Sequence, residues 1–163
     1  MEYRLRRADP EELDAVFVLY EKRVGWMDQR GIRQWNVTGY LAAYPKSYYR
    51  EQQALGNLYV FAGPSGLAGA AVLLPEDGRW PGRADSPAVY VHNLVTDVEA
   101  RGAGRRLLAA IEKTAAREGK RFVRLDCAAD NLFLNGYYES QGYTAAGTCR
   151  DGGYMGNLRE KRL

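Results

Sequence analysis

Val95-Thr96-Asp97-Val98-Glu99-Ala100-Arg101-Gly102-Ala103-Gly104-Arg105-Arg106-Leu107-Leu108 and, further along, Asn131-Leu132-Phe133-Leu134-Asn135-Gly136-Tyr137-Tyr138-Glu139-Ser140-Gln141-Gly142-Tyr143 decide how this chain reads. The first segment opens as a strand, turns on glycines and enters a helix. The first N–H groups of a helix have no partner inside it, so such a turn offers them to a phosphate, and the helix dipole adds to the attraction. Arg101, Arg105 and Arg106 around the glycines suit a polyanion. A lone Gly-x-Gly also closes ordinary strand–helix connections. The second segment reads as a helix carrying tyrosines, stopped by Gly142 and followed by a strand. Together they point to a phosphate-bearing cofactor with a proton donor beside it.

Working outward, Tyr3–Arg7 alternates as a strand. Asp9-Pro10-Glu11-Glu12 is a helix start, with Asp at the cap, Pro first and Glu three residues after the cap. Leu13, Val16, Phe17, Tyr20 and Val24 follow at helical spacing. Gly25 and Gly31 bracket Trp26–Arg30, where the helix should break or bend. A second helix is expected over 46–55, with Gly56 as its stop. Leu58–Ala62 and Leu67–Leu74 read as antiparallel strands around the Gly63-Pro64-Ser65-Gly66 turn. Pro75–Pro87 is a polar loop of a length often used for lids, or else disordered. Ala88–Val95 is apolar enough for a strand buried on both faces, interrupted by His92 and Asn93. A helix over 103–118, a strand over 121–127, a helix over 131–141 and strands over 143–148 and 154–163 complete the order. No repeat or linker appears, so residues 1–163 read as one domain with a mixed sheet, not a doubly wound nucleotide fold.

Composition narrows the classes. Hydrophobic residues at 46% and charged residues at 26% are ordinary for a globular protein. A net charge of +3 is too mild to argue for nucleic acid. No apolar run has signal-peptide or membrane-spanning length, so a cytoplasmic protein that neither enters membranes nor binds nucleic acid is expected. Cys127 and Cys149 are the two cysteines, and they have neither zinc nor CxxC spacing; reduced thiols in or near the core are expected, with no metal.

On these motifs the chain resembles the GNAT acetyltransferase superfamily over nearly its whole length. Gly102-Ala103-Gly104 corresponds to the family's Gly-x-Gly when Leu107-Leu108 aligns with its helix leucines. Glu99 then stands where Gln or Arg is usual. Asn131, Tyr137, Tyr138, Glu139, Gly142 and Tyr143 meet the family's second pattern, with Leu134 in place of Ala. The resemblance implies an α/β (α+β) fold with a mixed, mostly antiparallel sheet of about seven strands, splayed in the middle, and about four helices. It implies acetyl-CoA as co-substrate, bound by Leu94, Val95, Arg101, Gly102, Ala103, Gly104, Arg105, Asn131 and Tyr138. Leu94 and Val95 match the strand bulge whose backbone groups face pantetheine. Asn131 would reach the pantetheine arm, and Tyr138 would return a proton to the leaving thiolate, which suits a phenol protonated at neutral pH.

His92, the only histidine, shares by alternation a strand face with Tyr90 and Leu94. It reads either as a general base for the acceptor amine or as a structural histidine bonded within the sheet. Trp26, Trp35, Tyr40, Tyr44 and Tyr48 fall where the family walls the acceptor site, although aromatics also pack ordinary cores. With no activated serine or cysteine, direct attack of a small primary amine on the thioester is expected. Two other readings stand beside it: an acetyltransferase acting on a lysine or N-terminus of a protein, and a non-catalytic acyl-CoA-binding module. A homodimer is left open.

Overall fold

The Asp9–Glu12 start signal does its work in two steps. The Asp9 N–H donates to Glu12 Oε1 at 2.8 Å and the Glu12 N–H to the Asp9 carbonyl at 3.0 Å. Arg6 grips the same Glu12 carboxylate through two bonds of 2.8 and 2.9 Å. The result is a short 3-10 turn, Pro10–Glu12, from which helix α1 (Leu13–Gln29) continues. The helix stops inside the Gly25–Gly31 bracket, as expected: α1 passes through Gly25 and ends at Gln29, followed by Gly31 in the left-handed region. Its buried residues are Leu13, Val16, Leu19, Tyr20 and Met27.

A computed structural model describes residues 2–82 and 86–163, so Arg83–Asp85 of the expected loop lie outside the described residues. After α1 come the one-turn helix α2 (Tyr40–Ala43), which the sequence reading did not foresee, and α3 (Lys46–Ala54). Helix α4 spans Ala103–Arg117 and α5 Leu132–Ser140. The strands are β1 (Arg4–Arg7), β2 (Leu58–Gly63), β3 (Gly66–Leu74), β4 (Ala88–Thr96), β5 (Phe122–Ala128), β6 (Thr144–Asp151) and β7 (Tyr154–Arg162). They form one sheet in the order β1-β2-β3-β4-β5-β7-β6. The pairs β1–β2, β2–β3, β5–β7 and β6–β7 are antiparallel, and β4–β5 is parallel. This is the mixed, mostly antiparallel α/β architecture expected.

The chain divides into two units, residues 1–73 with 93–110, and residues 74–92 with 111–163. In the first, β1–β3 carry α1 and α3, and the core gathers Val16, Tyr20, Tyr49, Leu58, Val60 and Leu107. Gly69 on β3 is a point of close approach: a Cβ there would lie 2.7 Å from the Val95 carbonyl oxygen and 3.1 Å from Leu107 Cδ2. In the second unit the β4–β5 ladder pairs Ala88–Tyr90 with Phe122–Arg124, while β5 pairs along its full length with β7. Its core includes Trp80, Ala88, Tyr90 and Leu158. The first part of the Pro75–Pro87 loop is therefore docked, with Trp80 only 4% exposed. Cys127 and Cys149 are free thiols, the first buried and the second partly so.

Gly69→Ala should lower stability by about 1–3 kcal/mol, the usual cost of forcing a packed region apart, because backbone rather than a side-chain tip must yield. Chemical denaturation monitored by circular dichroism measures it, and a variant as stable as the parent would contradict the close approach.

Candidate active site

The glycine turn lies in the first unit. Val95 is buried at the end of β4, and the Asp97 N–H donates to the Ala68 carbonyl at 2.8 Å. Asp97 then turns the chain: its carbonyl accepts from Ala100, and its Oδ1 accepts from Glu99 N–H at 3.1 Å and Lys22 Nζ at 2.9 Å. Arg23 of α1 donates to the Thr96 carbonyl at 2.8 Å, so α1 holds the turn from a second side. Gly102, at φ +73°, takes a backbone conformation that side chains disfavour, and Ala103 starts α4. Ala103 is buried, Gly104 partly exposed, and Arg101, Gly102, Arg105 and Arg106 exposed. The first turn of α4 has no acidic residue. The Ala103 N–H bonds the Ala100 carbonyl at 3.2 Å and the Arg106 N–H the Gly102 carbonyl at 3.3 Å, so the helix-start N–H groups of Gly104 and Arg105, with flanking arginines and no acidic residue in that turn, fit a phosphate-bearing substrate. Glu99 is exposed on the approach to this turn.

Just before Leu94 and Val95, Asn93 has φ +53°, the only non-glycine residue with positive φ among the described residues. A left-handed residue breaks strand alternation, so the shared face read for Tyr90, His92 and Leu94 does not carry past it. Its side chain and carbonyl are held by three tyrosines. Tyr20 Oη donates to the Asn93 carbonyl at 2.5 Å, Tyr48 Oη donates to Oδ1 at 2.8 Å, and Nδ2 donates to Tyr40 Oη at 2.6 Å. Burial raises the Tyr20 and Tyr40 phenols above their usual range, keeping both protonated. Trp35 stacks on Tyr40 with centroids 4.1 Å apart and planes 7° apart, and Tyr44 lies 4.9 Å from both Tyr40 and Tyr48. Trp26 does not join this group among the described ring contacts; the guanidinium carbons of its helical neighbours Arg23 and Arg30 lie over its ring, 4.7 and 5.0 Å from the centroid. Sequence reading missed Tyr20 and Asn93. The polar interruption of an apolar strand was the available signal for Asn93.

The second unit carries Asn131, Tyr138 and His92. Asn131 caps α5, its Oδ1 accepting the Leu134 N–H at 3.0 Å, which leaves Nδ2 as its donor. Tyr138, two turns on, is 8% exposed and packs edge-on against Tyr137 and Tyr143, with centroids 5.5 and 5.9 Å away. Burial, then the nearby Cys127, raises its hydroxyl above the ordinary phenol range. Buried Asn135, which sequence reading passed over, ties α5 to the strands. Its Oδ1 accepts from Asn157 Nδ2 at 2.9 Å, Arg159 Nε at 3.0 Å and Cys127 Sγ at 3.4 Å; its Nδ2 donates to the carbonyls of Ala128 and Asn131.

His92 Nε2 lies 2.7 Å from Asp77 Oδ2. Asp126 completes a group of three whose potential ligand atoms lie within 4.8 Å of one another. Arg79 already serves Asp126, 3.4 Å from both its oxygens, and reaches Asp151 Oδ2 at 2.9 Å, while Tyr154 Oη donates to Asp126 at 2.6 Å.

A model of the acetyltransferase (GNAT) family matches residues 30–143, which includes both motif segments. The chain belongs to the GNAT acetyltransferase family. As a member it is an acyltransferase. It is similar to the uncharacterized N-acetyltransferase YesJ of Bacillus subtilis (strain 168), at 27% identity over 89% of this chain and 83% of that protein. A GNAT-family acetyltransferase from Listeria monocytogenes 4b F2365 has the same fold, with TM-score 0.83 and 23% identity over 100% of this chain and 96% of that one. So has the PaiA N-acetyltransferase of Thermoplasma acidophilum, solved in complex with coenzyme A, with TM-score 0.71 and 18% identity over 100% of both chains. In this GNAT chain no described helix is long and apolar enough to cross a membrane.

Asn135→Ala should destabilise the GNAT domain by about 1–3 kcal/mol for each buried donor left unpaired, Arg159 Nε first. Urea denaturation tests this, and a loss under 1 kcal/mol would show that other acceptors replace Asn135.

Proposed function

We propose that this GNAT enzyme, a single domain over 1–163, transfers acetyl from acetyl-CoA to a primary amine of a small molecule by direct attack. The observation that carries the catalytic part is Tyr138: a phenol buried on α5, with its proton firmly held, at the motif position where the resemblance places the general acid. The family match running through both units supports one domain. The phosphates are assigned to the backbone of Arg101–Arg105, and pantetheine to Leu94, Val95 and the free Nδ2 of Asn131. The stacked, uncharged rings of Trp35, Tyr40 and Tyr44 favour a small amphipathic or aromatic acceptor.

Proton flow closes on these residues. His92 accepts one proton from the substrate ammonium and passes it to solvent. The amine nitrogen bonds the acetyl carbon as the carbon–sulfur bond breaks. Tyr138 donates to the departing thiolate, and the second amine proton, released as the amide forms, restores the phenol. Because burial raises the Tyr138 hydroxyl, it offers an O–H throughout the neutral range.

Gly104→Asp places a side chain and a negative charge at the phosphate approach. The folded variant should bind acetyl-CoA at least tenfold more weakly by calorimetry, and unchanged affinity would remove the phosphate from this turn.

Tyr138→Phe keeps the ring packing and loses only the hydroxyl. Acetyl-CoA affinity should hold while single-turnover transfer, to an acceptor identified by CoA release across an amine panel, slows by about a hundredfold. A rate within about twofold of the parent would show that Tyr138 is not the general acid.

A further inference from the structure

Asp77 sits in the loop after β3 that the sequence offered as a lid or as a disordered segment. Its Oδ2 meets His92 Nε2 at 2.7 Å and its Oδ1 accepts the Arg79 N–H at 2.9 Å. The two side chains are 9% and 15% exposed. The turn is fixed by the Trp80 N–H bonded to the Asp77 carbonyl at 3.0 Å, and by the Trp80 ring against Tyr90. We propose that Asp77 is the positioning residue of His92: it fixes the ring with Nδ1 as the proton-accepting atom and stabilises the imidazolium that forms. This rests on the reading of His92 as the base.

The tautomer follows from the donor count. An ionised carboxylate only accepts, and a neutral imidazole has one donor and one acceptor nitrogen. A bond at Nε2 therefore puts the hydrogen there and leaves the lone pair on Nδ1, which has no hydrogen bond among the described residues. Asp77 is ionised: burial pushes its carboxyl up, while the His92 bond and then the Arg79 N–H pull it down, and the net direction is below its usual value. The other charged groups here partly balance one another. From β5, Asp126 stands within 4.8 Å of the pair; Arg79 neutralises it at 3.4 Å, helped by Tyr154 from β7, and also binds Asp151 of β6 at 2.9 Å. The carboxylate bonded directly to His92 is that of Asp77.

A single histidine makes the test unambiguous, since its ring nitrogens give the only imidazole signals in an 15N spectrum. The parent protein should show the Nε2–H tautomer. Asp77→Asn removes a negative charge, which disfavours the imidazolium, so the titration should move to lower pH by about one unit or more. The acid limb of kcat should move the same way and its plateau should fall, with the KM for acetyl-CoA unchanged. In a His92→Ala background, Asp77→Asn should have no further effect on the rate. An Nδ1–H tautomer in the parent overturns the proposal without any variant, and so does an Asp77→Asn titration that overlays the parent. If His92→Ala is slow while Asp77→Asn keeps the parent rate and limb, only the role of Asp77 falls. If His92→Ala transfers at the parent rate, the base reading falls and takes the proposal with it.

Discussion

A left-handed, non-glycine residue inside a strand is costly, and Asn93 is kept there by its neighbours. Three tyrosine hydroxyls reach one asparagine: one bonds its carbonyl, one donates to its amide oxygen and one accepts from its amide nitrogen. Each is a long-range bond across a partly buried site, where an unmade bond would cost the full desolvation of its group. The strain at Asn93 and the arrangement of α1, α2 and α3 are thus mutually dependent. Tyr20 must come from α1, Tyr40 from α2 and Tyr48 from α3. The aromatic stack that follows, with Trp35 on Tyr40, is a consequence of where those hydroxyls have to be.

The second unit depends on charge and amide networks of the same kind. Arg124 is fully buried, its Nε on Glu160 at 2.9 Å and its Nη1 on Tyr90 Oη at 2.8 Å. The rings of Trp80, Tyr90 and Phe122 lie 4.7–5.7 Å from its guanidinium carbon. A buried cation persists only when paired and hydrogen-bonded, and the rings add cation–π attraction. Trp80 thereby docks the loop that carries Asp77 and Arg79. Asn135 does for α5 what Arg124 does for β4 and β5: one buried side chain satisfies several neighbours and fixes the register of the elements that supply them.

The local parts of this fold were legible because local rules produce them. The capping signal at Asp9, the Gly56 stop of α3, the glycine turn and the patterns of the strands each depend on a few adjacent residues. Where the reading failed, a longer-range term had prevailed. The one-turn α2 is too short to leave a periodic signal. The polar composition of Pro75–Pro87 concealed that Trp80 is a core residue.

For the site, the sequence by itself determined the chemistry available: the Gly-x-Gly turn with its arginines, Tyr138 on a helix, a single histidine, and the resemblance that names the co-substrate. Those follow from residue type and spacing, which the chain carries locally. Only the tertiary structure decided the partners. It set Asp77 on His92, Arg79 on Asp126 and the tyrosines on Asn93. Such pairings join residues far apart in sequence, and their geometry comes from packing and from the cost of leaving buried polar groups unpaired, neither of which leaves a periodic mark in the sequence.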